Sequence, residues 1–348
     1  MFRQMESAGL QDLHFWQDPD TGLQAIIAIH DTFRGPAIGG CRFIDYADTT
    51  AAITDAIRLA KGMSYKAALA GLPHGGGKSV IIKPSGLFDR TRLMQSFGHF
   101  VDSLGGRYIT AMDSGTQISD MDNIALNTPY VTCTRKMGDP SPSTAFGVFA
   151  GIRASAKFRF GSDDLHNIHV AIQGLGHVGY ALASLLHAAG ARLTVSDIDA
   201  QKVARASAEF NAITVEPDAI YDVVADIFCP CGLGAIINPD TVNRLNCAIV
   251  AGSANNQLAD DSMGDALCQR AILYAPDYLI NAGGLIFVAL NHARHHEQVI
   301  RQKVDSIYDA LLELYKHADA EQKPTSLIAD LRAATIIRQA SLKPYQAA

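Results

Sequence analysis

The fold of this chain is decided by the stretch His169-Val-Ala-Ile-Gln-Gly174-Leu-Gly176-His-Val-Gly179. An apolar segment typical of a strand leads directly into three glycines with the spacing G-x-G-x-x-G, and helical spacing follows over 177–189. Gly174 allows a tight turn, Gly176 lets a ligand approach the backbone, and Gly179 lets helix and strand pack closely. This strand, turn and helix predict a parallel, doubly wound α/β sheet.

An acidic residue, Asp197, directly follows the next predicted strand, 192–196. It stands about 20 residues beyond the glycines, where a carboxylate accepts ribose hydroxyls and repels a 2′-phosphate. No arginine follows in 198–200. Free N–H groups at the helix N-terminus suit a pyrophosphate. The sequence therefore predicts NAD rather than NADP as cofactor. A glycine-rich turn that binds nothing would leave the coincidence of strand, glycines, helix and acid unexplained.

Strands and helices are predicted on both sides of this unit. In the first third of the chain, 23–30 is expected to form a hairpin with 36–43, 49–60 a helix and 79–83 a strand. The prolines and small residues of 136–143 indicate a domain boundary. We therefore expect an α/β substrate-binding and catalytic domain at 1–136 and a Rossmann NAD-binding domain at 137–320. We expect a cleft between them, and a C-terminal helical segment, 321–348, that packs back on the first domain.

Composition excludes several classes of protein. The chain has 348 residues, 48% of them hydrophobic and 18% charged, with a formal net charge of −6. No long basic run is present, which argues against nucleic acid or an anionic membrane as partner. The apolar runs are too short to span a bilayer, and the N-terminus lacks a signal-peptide pattern, so a cytoplasmic location is expected. The six cysteines include Cys229-Pro-Cys231 but have no zinc-ligand spacing; reduced thiols and no metal are predicted.

A second informative stretch is Gly62-Met-Ser-Tyr-Lys66-Ala-Ala-Leu-Ala-Gly-Leu72-Pro-His74-Gly-Gly-Gly-Lys78. Two lysines stand among small and apolar residues, where one can hold an anion and the other can act as a base if its pKa is pulled toward neutrality. A phosphate loop would need glycine at Leu72, and a lipase-type oxyanion strand would need a G-x-S-x-G motif. Both alternatives fail, although a pair of solvated lysines stays open.

Several longer motifs carry a resemblance to a known family. They are Gly35-Pro-Ala-Ile-Gly-Gly40, Arg58-Leu-Ala-Lys-Gly-Met63-Ser-Tyr-Lys66, Gly75-Gly-Gly-Lys78, Ala111-Met-Asp113-Ser-Gly-Thr116, Ala251-Gly-Ser-Ala-Asn255-Asn-Gln-Leu258 and Tyr274-Ala-Pro-Asp-Tyr-Leu-Ile-Asn281-Ala-Gly-Gly284. Together they resemble the glutamate/leucine/phenylalanine/valine dehydrogenases, and within that family the leucine dehydrogenase branch. The resemblance covers nearly the whole chain. It implies an NAD-dependent dehydrogenase of L-amino acids that assembles as a homo-oligomer.

The resemblance implies a role for each matching residue. Lys66 would bind the substrate α-carboxylate, Lys78 would activate the attacking water, and Asp113 would orient the amino group and move protons. Further substrate-binding positions are Gly39, Gly40, Met63, Ile38, Ala111, Leu285 and Val288. The cofactor-binding positions are Gly174, Gly176, Gly179, Asp197, Asn255 and Asn281.

The substrate implied is a branched-chain L-amino acid: leucine, and also isoleucine and valine, converted reversibly to the 2-oxo acid and ammonia. The pocket positions are all apolar and would leave the γ-carboxylate of glutamate unpaired. Phenylalanine or tryptophan is the alternative substrate. A sensor that binds NAD or an amino acid without catalysis also stays open, as does a hydroxy-acid dehydrogenase that uses His74 as base and Arg42 as carboxylate ligand.

Three features depart from the family pattern. His74 replaces a leucine, the 133–139 loop is short, and the segment 287–291 lacks the expected asparagine and acidic pair.

Overall fold

The computed structural model describes residues 2–342, which form two compact units. The first unit holds the chain up to Asp139, the segment Val288–His296 and the C-terminal segment from Ala333. The second unit holds Pro140–Phe287 and Glu297–Arg332. Each unit is built around its own β-sheet. The predicted fold class, two α/β domains of which one has a Rossmann sheet, is confirmed.

The first unit contains five strands and four helices before Asp139. The strands are β1 (Asp12–Asp18), β2 (Leu23–Asp31), β3 (Ala37–Ile44), β4 (Gly75–Ile82) and β5 (Tyr108–Met112). The helices are α1 (Phe2–Ala8), α2 (Thr49–Leu69), α3 (Arg90–Ser103) and α4 (Ile118–Ile124).

The predicted hairpin between 23–30 and 36–43 is wrong. The strand order is β1-β2-β4-β3-β5, so β4 separates the two segments. β2 pairs antiparallel with β1 and β4, whereas β3 runs parallel to β4 and β5. The prediction failed because it began this strand only at Ser79. Glycines weaken the strand signal, yet here Gly75–Gly77 form the first half of β4.

Helix α2 is longer than the predicted 49–60 and carries Met63 and Lys66 in its last turns. Asp48 caps its start by accepting a hydrogen bond from the Ala51 amide at 2.8 Å. The helix lies directly on β4, because a Cβ added to Gly76 would stand 2.0 Å from the Ser64 nitrogen. The glycines of β4 therefore allow an unusually close approach of helix and strand.

The second unit contains six strands and most of the remaining helices. The strands are β6 (His169–Gln173), β7 (Arg192–Ser196), β8 (Ile213–Thr214), β9 (Ile227–Pro230), β10 (Ile249–Val250) and β11 (Leu273–Tyr274). The helices in chain order are α5 (Ser141–Phe160), α6 (His177–Ala188), α7 (Ala200–Phe210), α8 (Ser262–Gln269), α9 (Asp277–Ile280), α10 (Gly283–His292), α11 (Glu297–Asp305), α12 (Ile307–Glu321) and α13 (Thr325–Ser341). Helices α10 and α13 contribute residues to both units.

The second sheet is parallel throughout, in the order β8-β7-β6-β9-β10-β11. Numbered from β6, this is the order 3-2-1-4-5-6 of a dinucleotide-binding sheet, whose ligand binds beyond the carboxyl ends of the strands where the order reverses. That point lies between β6 and β9. Among residues 2–342, no helix combines the length and the apolar character that a bilayer span requires.

Candidate active site

The first unit brings two of the predicted catalytic residues into direct contact. Lys78 lies in the middle of β4 and is 5% exposed, and Asp113 follows the last residue of β5. The Lys78 Nζ lies 2.5 Å from the Asp113 Oδ2. The pair joins β4 and β5 across β3, which lies between them in the sheet. A buried amine in contact with a carboxylate can exchange a proton with it, which is the basic requirement for acid–base chemistry.

Asp113 is also held by Arg42, whose Nε lies 3.3 Å from the same Oδ2. Burial opposes ionisation of this carboxyl. The charge and hydrogen bond of Lys78, with the charge of Arg42, outweigh that effect and hold the pKa of Asp113 below its usual range. Arg42 is itself fixed by Asp55, whose Oδ2 accepts hydrogen bonds from Arg42 and from the Tyr46 hydroxyl, both at 2.7 Å. Asp113 is therefore kept ionised and in one position.

The two glycines predicted on β3 make room for this pair. A Cβ on Gly40 would lie 2.7 Å from the Asp113 Cβ and 3.2 Å from the Lys78 Nζ. A Cβ on Gly39 would collide with the Gly77 carbonyl oxygen at 1.7 Å. The Tyr108 hydroxyl donates a 2.8 Å hydrogen bond to the Gly39 carbonyl, which fixes the backbone at this point. Glycine is required at both positions by close approach.

The remaining predicted substrate residues lie on elements of both units. Met63 and Lys66 are half-buried on α2, one turn apart. Four apolar positions are buried: Ile38 on β3, Ala111 on β5, and Leu285 and Val288 on α10. In the sheet, Ile38 stands opposite Gly76, and Ala111 stands opposite Gly40. Ile38 and Ala111 therefore lie in the same part of the first unit's sheet as Lys78 and Asp113.

In the second unit, the three predicted glycines form the turn between β6 and α6. Gly174 has φ +95°, which only glycine adopts readily, and a Cβ on Gly179 would lie 2.1 Å from the Gly174 carbonyl oxygen. Gly176 is the N-cap of α6, and nothing lies within 4 Å of where its Cβ would be. The turn is therefore closely packed at Gly174 and Gly179 and open at Gly176, as a pyrophosphate site requires.

Asp197 follows β7 and is tied to this turn. Its Oδ2 accepts a 2.6 Å hydrogen bond from the Leu175 amide, and its Oδ1 accepts one of 2.9 Å from the Asp199 amide. A carboxylate oxygen has two acceptor sites, so each oxygen keeps one for a ribose hydroxyl. An open groove of about 740 Å³ begins at Asp197 and extends along α7.

Asn255 and Asn281 also come together. The Asn281 Nδ2 donates to the Asn255 Oδ1 at 2.9 Å and to the Ser253 carbonyl at 3.1 Å. The Asn281 Oδ1 is buried and has no hydrogen-bond partner. Such an acceptor suits a carboxamide N–H, so these residues, with the glycine turn and Asp197, fit NAD.

The structure does not favour His74 and Arg42 as the machinery of a hydroxy-acid dehydrogenase. Arg42 is engaged by Asp55 and Asp113. Burial, together with the nearby charges of His292 and Arg34, lowers the pKa of His74 to about 4, which makes it a weak base. Its Nδ1 is buried without a partner.

Sequence reasoning missed the supporting roles of Arg42, Asp55 and Tyr108. A signal for one of them was present: alternate residues of a strand share a face, which places Arg42 beside Gly40. Asp55 and Tyr108 gave no comparable signal, because their contacts depend on how α2 and β5 dock against β3.

Two family profiles match the chain. The profile "Glu/Leu/Phe/Val dehydrogenase, dimerisation domain" matches residues 11–130, and the profile "Glutamate/Leucine/Phenylalanine/Valine dehydrogenase" matches residues 139–342. The chain belongs to the glutamate/leucine/phenylalanine/valine dehydrogenase family. A member of this family is an oxidoreductase, and the chain is an amino acid dehydrogenase. The predicted family and reaction class are confirmed.

Several relatives within this dehydrogenase family are similar over nearly their whole length. A leucine dehydrogenase of Thermoactinomyces intermedius is 48% identical, covering 95% of this chain and 91% of the relative. A phenylalanine dehydrogenase of Bacillus thermotolerans is 46% identical, covering 88% and 83%. The crystal structure of L-tryptophan dehydrogenase from Nostoc punctiforme matches with a TM-score of 0.88 at 40% identity, covering 99% of this chain and all of that one. The relatives thus include dehydrogenases of three different amino acids.

Proposed function

We propose that this amino acid dehydrogenase catalyses the NAD-dependent, reversible oxidative deamination of branched-chain L-amino acids to 2-oxo acids and ammonia. Leucine is the main substrate, with isoleucine and valine also accepted. The observation that carries the proposal is the buried contact between Lys78 and Asp113 beside Gly40. This arrangement supplies a paired proton donor and acceptor next to a glycine backbone that a small substrate can approach.

Each residue of the first unit has a separate task in the proposed mechanism. Lys66 pairs with the substrate α-carboxylate and fixes the orientation of Cα. When bound, NAD would supply the acceptor for the hydride of Cα. Lys78 takes a proton from the water that attacks the resulting iminium carbon. Asp113 accepts a hydrogen bond from the substrate amino group and exchanges protons with Lys78.

Arg42 is a positioning residue in this scheme. It contacts the same Asp113 Oδ2 as Lys78 does, so that the carboxylate keeps its place when a proton moves to or from the lysine.

The apolar side chains of Ile38, Ala111, Leu285 and Val288 are each proposed to contact the substrate side chain. All four are buried. An aliphatic substrate side chain gains from burial among them, whereas the γ-carboxylate of glutamate would be desolvated without a partner. This supports an apolar amino acid.

NAD is proposed to bind the second unit, with its pyrophosphate at the Gly174–Gly179 turn and its adenosine ribose at Asp197. Asn255 and Asn281 are proposed to bind the nicotinamide carboxamide, since the Asn281 Oδ1 is a buried acceptor that lacks a partner. Repulsion between Asp197 and a 2′-phosphate favours NAD over NADP.

An aromatic substrate is the second candidate. It is supported by the similarity to the phenylalanine dehydrogenase and to the L-tryptophan dehydrogenase structure. A sensor that binds without turnover would need Lys66 but has no use for the Lys78–Asp113 pair.

One experiment separates these possibilities. NADH formation is measured at alkaline pH with leucine, isoleucine, valine, phenylalanine and tryptophan, for the unmodified chain and for Lys78→Ala. We expect leucine to give the highest kcat/KM, and Lys78→Ala to lose about 10²–10⁴-fold in kcat. Lys83→Ala is the matched control, because Lys83 follows the same strand but is exposed. No turnover with any of these amino acids would contradict the proposal that the chain is an enzyme. A kcat/KM for phenylalanine well above that for leucine would contradict the proposed substrate.

We further propose that the chain forms homo-oligomers through the first unit. Within residues 2–342, strand β1 is an edge strand that pairs with β2 alone, and it exposes Phe15 and Trp16 by 46% and 37%. An exposed apolar edge strand is a surface that a second copy can cover. Light scattering coupled to size exclusion would show a monomer for Phe15→Lys if this surface is the interface.

A further inference from the structure

The Cys-Pro-Cys segment at the end of β9 is in contact with the glycine turn. Cys229 is the third residue of β9 and is completely buried, while Cys231, the residue after the strand, is partly exposed. Residues two apart in an extended chain point to the same side. The two Sγ atoms accordingly lie 3.7 Å apart. Neither thiol has a part in the proposed dehydrogenase mechanism.

Cys231 is in contact with the turn on several sides. Its amide donates a 2.7 Å hydrogen bond to the carbonyl of Gln173, the last residue of β6. A Cβ on Gly174 would lie 3.0 Å from the Cys231 carbonyl carbon, and a Cβ on Gly179 would lie 3.1 Å from the Cys231 Cβ. The backbone therefore has no spare space here, and a displacement of Cys231 must displace the turn.

The Cys-Pro-Cys segment is also linked to the second group of proposed cofactor ligands. The carbonyl of Pro230, between the two cysteines, accepts a 2.9 Å hydrogen bond from the Ala254 amide. A Cβ on Gly252 would lie 2.2 Å from that carbonyl oxygen. The segment that contains Asn255 thus rests on the Cys-Pro-Cys segment as well.

We infer that Cys229 and Cys231 are a peroxide-oxidisable dithiol whose disulfide lowers the affinity of the second unit for NAD. The effect on NAD rests on the proposed function. Two free sulfurs at 3.7 Å must approach to about 2.05 Å to bond. Because Cys229 is buried within the strand, Cys231 makes most of this movement, and the turn moves with it.

The chemistry balances with a hydroperoxide as the oxidant. The Cys231 thiolate attacks the peroxide oxygen, breaking the O–O bond, and becomes a sulfenic acid while the peroxide leaves as water or an alcohol. The Cys229 sulfur then displaces hydroxide from the Cys231 sulfur, which forms the S–S bond and releases water. The hydrogen bond from Cys229 lowers the pKa of Cys231 and raises that of Cys229, so the more accessible thiol is the one that ionises first.

The test uses the full chain, reduced and then exposed to hydrogen peroxide at low molar excess. Tryptic cleavage gives the peptide Ala206–Arg244, which contains these two cysteines and no other. After alkylation, we expect this peptide to be lighter by two hydrogens and to carry no alkyl group. Calorimetry should show NAD binding weakened about tenfold or more, equivalent to the loss of one charge-assisted hydrogen bond, and restored by dithiothreitol.

Two variants sharpen the test. Cys268→Ser removes an exposed cysteine elsewhere and should respond as the unmodified chain does. Cys229→Ala should form no disulfide and should instead trap a sulfenic-acid probe at Cys231. Two alkylated thiols in the peroxide-treated peptide would overturn the inference, and so would a disulfide that leaves NAD affinity unchanged. NADH formation by the reduced chain tests the proposed function separately. An inactive chain that still forms the disulfide would contradict the proposed function but not the oxidation of Cys229 and Cys231.

Discussion

His74 shows how the burial of a single side chain sets its chemistry. It is 7% exposed, its Nδ1 has no hydrogen-bond partner, and burial with the charges of His292 and Arg34 lowers its pKa to about 4. The imidazole is therefore neutral at physiological pH. An unpartnered polar atom in such a place costs about 1–3 kcal/mol.

We predict that His74→Leu stabilises the protein, and increasingly so as the pH falls. The unfolded chain binds a proton at His74 with a pKa of 6.5, whereas the folded chain resists it until about pH 4. The unfolded state thus binds more protons in this window, and stability is lost as the pH falls through it, by about 3 kcal/mol in total. Urea midpoints of both proteins at pH 7.5 and pH 4.5 should diverge at the lower pH. Parallel midpoints would show that His74 is protonated in the folded state.

Gly40 is a second position where one added atom is predicted to change function. We predict that Gly40→Ala lowers kcat/KM by about 100-fold, because its Cβ would stand 2.7 Å from the Asp113 Cβ and would separate that carboxylate from Lys78. Steady-state kinetics with leucine and circular dichroism on the same sample check this. A folded variant with full activity would mean that the Lys78–Asp113 contact is not needed.

At the scale of elements, the contact between α2 and β4 aligns the two lysine-bearing segments. Ser64 of α2 is 1% exposed and lies against Gly76, while Lys66 and Lys78 lie two residues beyond those two contact points. Small residues at the contact let the helix axis come close to the strand.

Two glycines of this pair of elements should respond in opposite ways to the same change. Gly76→Ala would place a Cβ 2.0 Å from the Ser64 backbone nitrogen, so we predict a loss of about 3 kcal/mol or more and little folded protein. Gly62→Ala lies in α2 with nothing within 4 Å and should stabilise by about 0.5–1 kcal/mol. Thermal denaturation of both checks this, and a Gly76→Ala variant as stable as Gly62→Ala would refute the packing argument.

At the scale of the whole molecule, two units with separate sheets are proposed to bind separate ligands. Parallel strand order and the glycine turn suit a dinucleotide in the second unit, and the mixed sheet of the first unit carries the lysines and Asp113.

Hydrogen exchange should therefore resolve the two ligands by unit. At about 100 times its Kd, NAD should slow exchange of structured amides in β6 and α6 by up to about 100-fold. The sheet of the first unit should change far less, whereas leucine added with NAD should protect β3 and β4. Protection by NAD alone that falls first on β4 would contradict the assignment of NAD to the second unit.

The sequence by itself determined the family and the Rossmann unit, and it supplied the residues of the proposed site. Those features are local: a strand, a glycine turn, a helix and an acid follow one another within 169–197, and family motifs stand as continuous runs. Tertiary structure alone decided that Gly75–Gly77 form a strand between β2 and β3, that the predicted hairpin does not exist, and that Arg42 holds Asp113. Strand order and side-chain docking depend on contacts between residues far apart in the chain, which no local pattern records.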